Sequence, residues 1–125
     1  MKLLLEALRN VFRKPATIEY PRVATPIEPS SRGRHFADLR KCIGCSLCAI
    51  ECPSKVITMK KLPDELKPPH NKRGLYPVIN YLGCIFCYRC VSVCPVKAYI
   101  TTDEYRLATD SVETSEQLSL ATLKS

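Results

Sequence analysis

The sequence predicts a small α+β domain made of two similar halves, with the element order βαββαβ and a pseudo-twofold axis between the halves. Three observations support this prediction. A shift of 42 positions superimposes one cysteine motif, with the proline that follows it, on a second. A strand candidate precedes each motif and another follows it. The chain of 125 residues is also about the length of one domain.

Residues 1–14, MKLLLEALRNVFRK, are predicted to form an amphipathic helix that Pro15 ends. At 100° per residue the apolar side chains share an arc of about 120°, with the charged ones opposite. The apolar arc consists of Leu4, Leu5, Leu8, Val11 and Phe12. Such a basic helix either covers the core of its own domain or lies against a membrane surface or a membrane-embedded partner.

Residues 15–34 contain four prolines among short polar stretches, which predicts an extended connector. Residues 35–102 are predicted to form the compact domain. Its strand candidates are Phe36–Arg40, Val56–Met59, Val78–Tyr81 and Ala98–Thr101. In each half a helical turn is expected to carry the third and fourth cysteines, and residues 60–77 are expected to form a surface loop.

Residues 103–125 are polar and have few apolar side chains. This composition predicts an extended C-terminal arm that is disordered alone or becomes ordered only against another chain.

All eight cysteines fall in two copies of Cys-x2-Cys-x2-Cys-x3-Cys-Pro, which is the bacterial ferredoxin spacing for two [4Fe–4S] clusters. Three cysteines on one tight loop can hold one cluster, whereas the fourth cysteine of such a motif binds the other cluster. The predicted ligands of the first cluster are therefore Cys42, Cys45, Cys48 and Cys94. Those of the second are Cys84, Cys87, Cys90 and Cys52.

Zinc is the alternative metal, because Cys-x2-Cys pairs also bind zinc. Two such pairs would suffice for zinc. A zinc site would therefore not explain the third cysteine of each motif, the constant spacing to the fourth cysteine or the proline that follows it. His35 and His70 are expected to be ordinary surface or hydrogen-bonded residues, since eight thiolates complete both sites. The apolar residues within the motifs are expected to form the core: Ile43, Leu47, Ile50, Ile85, Phe86 and Val93.

Charge and composition argue against a nucleic-acid-binding, a secreted or a membrane-spanning protein. The formal charge of +7 counts cysteines as neutral, and metal-bound thiolates would offset much of it. Basic residues are spread along the chain and not interleaved with aromatic ones, so no nucleic-acid partner is predicted. The start of the chain lacks the pattern of a secretory signal, and no run of eighteen apolar residues occurs. The cysteines are therefore expected to be reduced and available to metal.

Beyond the cysteines, the chain resembles the two-cluster ferredoxin-like subunit of respiratory complex I and of the related membrane-bound [NiFe] hydrogenases and sulfur-reducing complexes. The resemblance extends through FRKPATIEYP at 12–21, RGRH at 32–35, CIFC at 84–87 and TTDEYRLATDSVETSEQL at 101–118. Members of this family usually carry glycine where this chain has Tyr88. The compact chain is more similar to the hydrogenase and sulfur reductase branch.

The resemblance implies a ferredoxin-like core that passes single electrons to a large catalytic subunit and is not catalytic by itself. It also implies a small iron–sulfur subunit and a membrane-arm subunit as further partners. Residues 1–14 would make the peripheral membrane contact on the cytoplasmic face. The alternatives are a subunit of an NADH-quinone oxidoreductase and a free, soluble two-cluster ferredoxin, which would not need the helix, the connector or the arm.

Overall fold

A computed structural model describes residues 2–124, and it has α+β architecture as predicted. Four helices and four strands follow one another in the order α1-β1-α2-β2-β3-α3-β4-α4. The helices are α1 (Lys2–Val11), α2 (Leu47–Ile50), α3 (Arg89–Ser92) and α4 (Glu116–Lys124). The strands are β1 (His35–Ala37), β2 (Ile57–Lys61), β3 (Leu75–Ile79) and β4 (Tyr99–Thr101). The elements from β1 to β4 thus follow the predicted βαββαβ order.

The strands form two antiparallel pairs. Strand β1 pairs with β4, with Phe36 opposite Ile100. Strand β2 pairs with β3, with Met59 opposite Pro77. The first and last strands of the domain are therefore neighbours, and the two cysteine motifs lie in the loops between the pairs.

The internal repeat is also present in the backbone. Three pairs of residues, each 42 positions apart, have left-handed backbone conformations with positive φ. They are Gly44 and Phe86, Ser46 and Tyr88, and Lys55 and Lys97. This conformation costs glycine little but costs other residues about 1–2 kcal/mol each. The two motifs therefore curl in the same way although the second has aromatic residues at two of these positions.

The core lies beneath the motif loops and not within them. Its most buried apolar side chains come from the strands and the segments beside them: Ala37, Leu39, Ile57, Leu62, Tyr76, Val78, Ile79, Tyr81 and Ala98. The prediction that the apolar residues of the motifs form the core is wrong for Leu47, Ile50 and Ile85, which are exposed. Each loop turns its cysteines inward, so Leu47, Ile50 and Ile85 face outward, whereas Phe86 packs partly against the core.

Helix α1 ends at Val11, before the predicted end at residue 14. None of its side chains is buried, and the connector up to Arg32 is exposed as well. Leu4 and Leu8 are 68% and 54% exposed. The alternative in which this helix covers the domain's own core is therefore wrong. Within residues 2–124, no helix combines the length and the apolar character that crossing a bilayer requires.

The segment between the halves is more ordered than a surface loop. It extends β2 to Lys61, makes a 3₁₀ turn at Asp64–Leu66 and begins β3 at Leu75. Asn71 is fully buried and donates a hydrogen bond from Nδ2 to the Leu75 carbonyl at 2.8 Å. A Cβ on Gly44 would lie 2.6 Å from Oδ1 of Asn71, so this segment packs directly under the first motif.

The C-terminal residues fold back onto the domain, so the prediction of an extended arm is wrong for residues 116–124. Helix α4 packs against β3 and β1. Its buried side chains are Ser119 and Thr122, and the Leu39 N–H donates to Oγ1 of Thr122 at 3.0 Å. The Ile79 N–H donates to Oγ of Ser115 at 2.9 Å. Hydroxyl groups of the arm thus complete backbone hydrogen bonds that the short strands leave open.

A carboxylate at the start of α4 strengthens this contact. Glu116 accepts hydrogen bonds from Lys60 Nζ at 2.6 Å and from the Tyr76 hydroxyl at 2.9 Å. These two bonds hold the pKa of Glu116 below its ordinary value. The arm is therefore fastened to the end of β2 and the start of β3.

Candidate metal centres

Two cavities beneath the motif loops are each lined by four cysteines. Cys42, Cys45, Cys48 and Cys94 line the first cavity, which has about 360 Å³ of free space including its opening to solvent. Cys52, Cys84, Cys87 and Cys90 line the second, with about 310 Å³. In each cavity three cysteines come from one motif and the fourth comes from the other. The structure therefore brings together the same two sets of four residues that the spacing predicts.

The rest of each cavity wall is largely apolar. Ala37, Met59 and Pro77 contribute to the first cavity, and Ile57 and Ile79 to the second. All eight cysteines are free thiols. Within residues 2–124, no three His, Cys, Asp or Glu side chains converge closely enough to hold one metal ion. The four thiols of each set lie around the wall of one cavity, an arrangement that fits a cluster held at its corners by soft sulfur ligands.

The helices place the third and fourth cysteines of each motif. Cys48 and Cys90 lie on α2 and α3 and are buried. Cys52 and Cys94 lie just beyond the ends of these helices, so the prediction that the helical turn carries both cysteines is wrong for the fourth. Leaving the helix lets the fourth thiol point away from its own loop and toward the other cavity.

Backbone N–H groups also point at the sulfur atoms. The Phe86 N–H donates to Sγ of Cys84 at 3.4 Å, and the Ala98 N–H donates to Sγ of Cys94 at 3.3 Å. Such donors stabilise negative charge on sulfur, as metal-bound thiolates require. The donor set and its surroundings thus fit two iron–sulfur clusters.

Burial disfavours the charged form of several of these thiols. It raises the pKa of Cys42, Cys48 and Cys84, and it raises the pKa of Cys90 to about 12. A buried thiol stays protonated at neutral pH unless a nearby positive charge stabilises the thiolate. Bound iron would supply such charge, so metal binding and loss of the thiol protons would be coupled at both sites.

His35 belongs to the second cavity, although the sequence predicted no special role for it. Its side chain is buried, and Nε2 lies 3.4 Å from Sγ of Cys90. Burial lowers the pKa of this imidazole below its ordinary value. His70, by contrast, is exposed. No local sequence signal marks His35, because its contact with Cys90 depends on how β1 packs against α3, far away in sequence.

Tyr88, the departure from the family pattern, has a structural role. Its hydroxyl lies 2.9 Å from the Gly33 carbonyl and 3.3 Å from the Thr102 carbonyl. Its ring packs edge-on against His35, with the ring centroids 4.9 Å apart. The guanidinium of Arg32 lies 5.9 Å above the same ring. Tyr88 thus ties the end of the connector to the second motif and covers the histidine.

Comparison with known proteins agrees with the geometry. Residues 41–98 match the family described as a 4Fe-4S dicluster domain, so two [4Fe–4S] clusters are the cofactors. The chain is 39% identical over 105 residues to NADH-quinone oxidoreductase subunit I 2 of Geobacter metallireducens, covering 81% of this chain and 78% of that one. It is 36% identical over 80 residues to subunit I 1 of Symbiobacterium thermophilum, covering 60% of this chain and 49% of that one.

A solved structure is similar as well. It is that of the membrane-bound sulfane sulfur reductase, an archaeal respiratory membrane complex, in which one chain matches with a TM-score of 0.60 and 33% identity. The match covers 85% of this chain and 53% of that one. This chain thus spans about half the length of the sulfane sulfur reductase chain and of the Symbiobacterium relative. The resemblance that the sequence indicated is confirmed, and the chain belongs to the family of NADH-quinone oxidoreductase subunit I.

Proposed function

We propose that this chain relays single electrons through two [4Fe–4S] clusters to the catalytic subunit of a complex I-like, membrane-bound oxidoreductase. One observation carries the proposal: two apolar cavities lie in one small domain, and each is lined by four free thiols drawn from both motifs. Bound iron–sulfur clusters supply one-electron redox chemistry. The protein supplies the ligands, excludes water and fixes the two sites relative to each other.

Crossed ligation is the structural part of the proposal. The first cluster is held by Cys42, Cys45, Cys48 and Cys94, and the second by Cys84, Cys87, Cys90 and Cys52. Each fourth cysteine crosses from its own motif to the other cavity, so neither half can hold its cluster alone. Loading both clusters therefore joins the two halves of the domain.

The chain works as a relay and leaves catalysis to a partner. With four thiolates on each cluster, every ligand position that the protein must supply is taken. No Asp or Glu is among the described residues that line either cavity, and the rest of each wall is largely apolar, so neither cavity offers a paired acid and base. Its relatives are named as subunits of oxidoreductases or belong to respiratory membrane complexes, which supports a partner subunit as the place where substrate reacts.

Helix α1 provides the contact with the membrane-bound part of the complex. Every side chain of its apolar arc is more than half exposed, whereas the ferredoxin-like domain starts only at residue 35. The extended connector can carry this helix away from the domain. We place the chain peripherally, on the cytoplasmic face of the membrane, beside a large catalytic subunit, a small iron–sulfur subunit and a membrane-arm subunit.

We assign the complex to the hydrogenase and sulfur reductase branch. The similarity to the sulfane sulfur reductase chain, which covers 85% of this chain, supports that branch. A quinone-reducing complex is the second candidate, because the match to the Geobacter subunit I covers 78% of that protein. Anaerobic purification of the native complex and identification of its large subunit separates the two, since a hydrogenase-type or a quinone-type large subunit would be recovered.

Iron and sulfide analysis tests the relay itself. We expect about eight iron and eight sulfide per chain in protein prepared without oxygen, as two cubane clusters require. Zinc without iron would refute the relay and would leave a structural zinc module. A fully soluble, monomeric native protein that carries both clusters would instead indicate a diffusing ferredoxin.

Charge substitutions test whether α1 makes the contact with the membrane-bound part of the complex. Leu4→Glu with Leu8→Glu places two carboxylates on the apolar arc, whereas Glu6→Gln changes only the polar face and serves as the control. We expect the double variant to keep both clusters but to leave the membrane fraction, and the control to remain there. Full recovery of the double variant with the complex would show that α1 is incidental. Binding of the native chain to lipid vesicles distinguishes a lipid contact from a protein one.

A further inference from the structure

We propose that His35 donates an Nε2–H···S hydrogen bond to Cys90 and thereby raises the reduction potential of the second cluster. The inference rests on the proposed function, because it requires Cys90 to be a ligand of that cluster. It assigns a tuning role to a residue outside both cysteine motifs.

The contact itself is short and buried. Nε2 of His35 lies 3.4 Å from Sγ of Cys90, and the two residues are 1% and 6% exposed. A metal-bound cysteine is a thiolate and has no proton to give. The imidazole must then supply the hydrogen of this contact. His35 and Cys90 both line the second cavity, so the contact lies in the wall of the proposed cluster site.

The surrounding side chains hold the imidazole in place. Rings of Tyr88, Phe86, Tyr81 and Tyr99 pack around it at centroid distances between 4.9 and 6.4 Å. The Tyr81 hydroxyl donates to the His35 carbonyl at 2.7 Å, which fixes the backbone at this point of β1. A ring packed on several sides has little freedom to turn away. The imidazole is therefore held beside Cys90 before a cluster binds.

The two cavities differ at this position. The 42-residue shift that relates the halves places Pro77 where His35 stands, and Pro77 lines the first cavity. A proline side chain has no N–H, so this position supplies no donor to the first cavity, where the polar side chain beside a cysteine is instead Tyr99, next to Cys48. The imidazole beside Cys90 is thus a feature of the second cavity alone among the described residues.

The direction of the effect follows from charge. Reduction adds an electron to the cluster, and a hydrogen bond to sulfur stabilises the more negative, reduced form more strongly. Removing the donor should therefore lower the potential of the second cluster. The first cluster of the same molecule provides an internal reference.

Two substitutions test this by redox titration followed with electron paramagnetic resonance. His35→Phe keeps a buried ring without an N–H, and we expect the potential of the second cluster to fall while that of the first stays unchanged. His35→Gln retains a side-chain N–H, and we expect it to restore part of the shift. An unchanged or raised potential in His35→Phe, or equal shifts of both clusters, would overturn the inference.

A measurement on the unaltered protein covers the case in which these variants fail to load clusters. The chain has two histidines, so ¹⁵N-histidine labelling adds only His35 and His70. We expect pulsed paramagnetic resonance to detect ¹⁵N coupling to the second cluster, and the coupling to persist in His70→Phe. No coupling in protein with two intact clusters would overturn the histidine inference and leave the relay standing. Absence of iron would refute the relay itself.

Discussion

The hydroxyl of Tyr88 gives a sharp test of how the connector is attached to the second motif. Tyr88→Phe keeps the ring against His35 and the left-handed backbone, and it removes only the hydrogen bonds to the carbonyls of Gly33 and Thr102. A hydroxyl has one proton, so the shorter contact of 2.9 Å to Gly33 carries most of the energy. A net loss of about 1 kcal/mol is expected, since Tyr88 is partly buried.

Amide hydrogen exchange measures this loss of stability at the residues that the Tyr88 hydroxyl contacts. The Gly33 N–H donates to the Thr102 carbonyl at 3.0 Å, and the Thr102 N–H donates to the Arg34 carbonyl at 2.9 Å. A loss of 1 kcal/mol should make these amides exchange about fivefold faster. Tyr105→Phe is the matched control, because Tyr105 is exposed and should leave their exchange unchanged. Unchanged exchange at both amides in Tyr88→Phe would refute the tether.

Three further substitutions probe packing and charge. Gly44→Ala places a Cβ against Asn71 at a left-handed position, so it should cost more than about 1 kcal/mol and lower iron content, which chemical analysis checks. Thr122→Val leaves the Leu39 N–H without its acceptor, so α4 should detach and limited proteolysis of the arm should speed up several-fold. Glu116→Gln should weaken the attachment of the arm to the domain at neutral pH but not in acid. The folded pKa of this carboxyl is lowered, so its contribution is present above the ordinary pKa and lost as pH falls through the folded one.

The cysteine spacing was sufficient to predict which residues meet in each cavity. Three cysteines within seven residues must lie on one loop, and Pro53 and Pro95 mark where each motif leaves its helix. The element order followed from the repeat, because two copies of one motif fold alike. The strand limits differ by a few residues, since the final pairing of β1 with β4 depends on the whole domain.

Other features could not be predicted because their signal is not local. The core-facing side of α4 combines the buried Ser119 and Thr122 with the partly buried Leu120 and Leu123, so its apolar periodicity is weak. The Thr122 hydroxyl accepts a hydrogen bond from the Leu39 N–H, which is 83 positions away in the sequence. The role of His35 depends on a contact with a residue 55 positions away. Tyr88 could be recognised as unusual for the family, but its partner Gly33 became evident only in the folded chain.

Crossed ligation is the central claim, and substitution of the fourth cysteines tests it most directly. Paramagnetic resonance of Cys42→Ser and Cys84→Ser defines which signal belongs to each cavity. We predict that Cys94→Ser loses or alters the same signal as Cys42→Ser, and that Cys52→Ser affects the same signal as Cys84→Ser. The account would be contradicted if Cys94→Ser instead damaged the signal that Cys84→Ser removes and left the other intact.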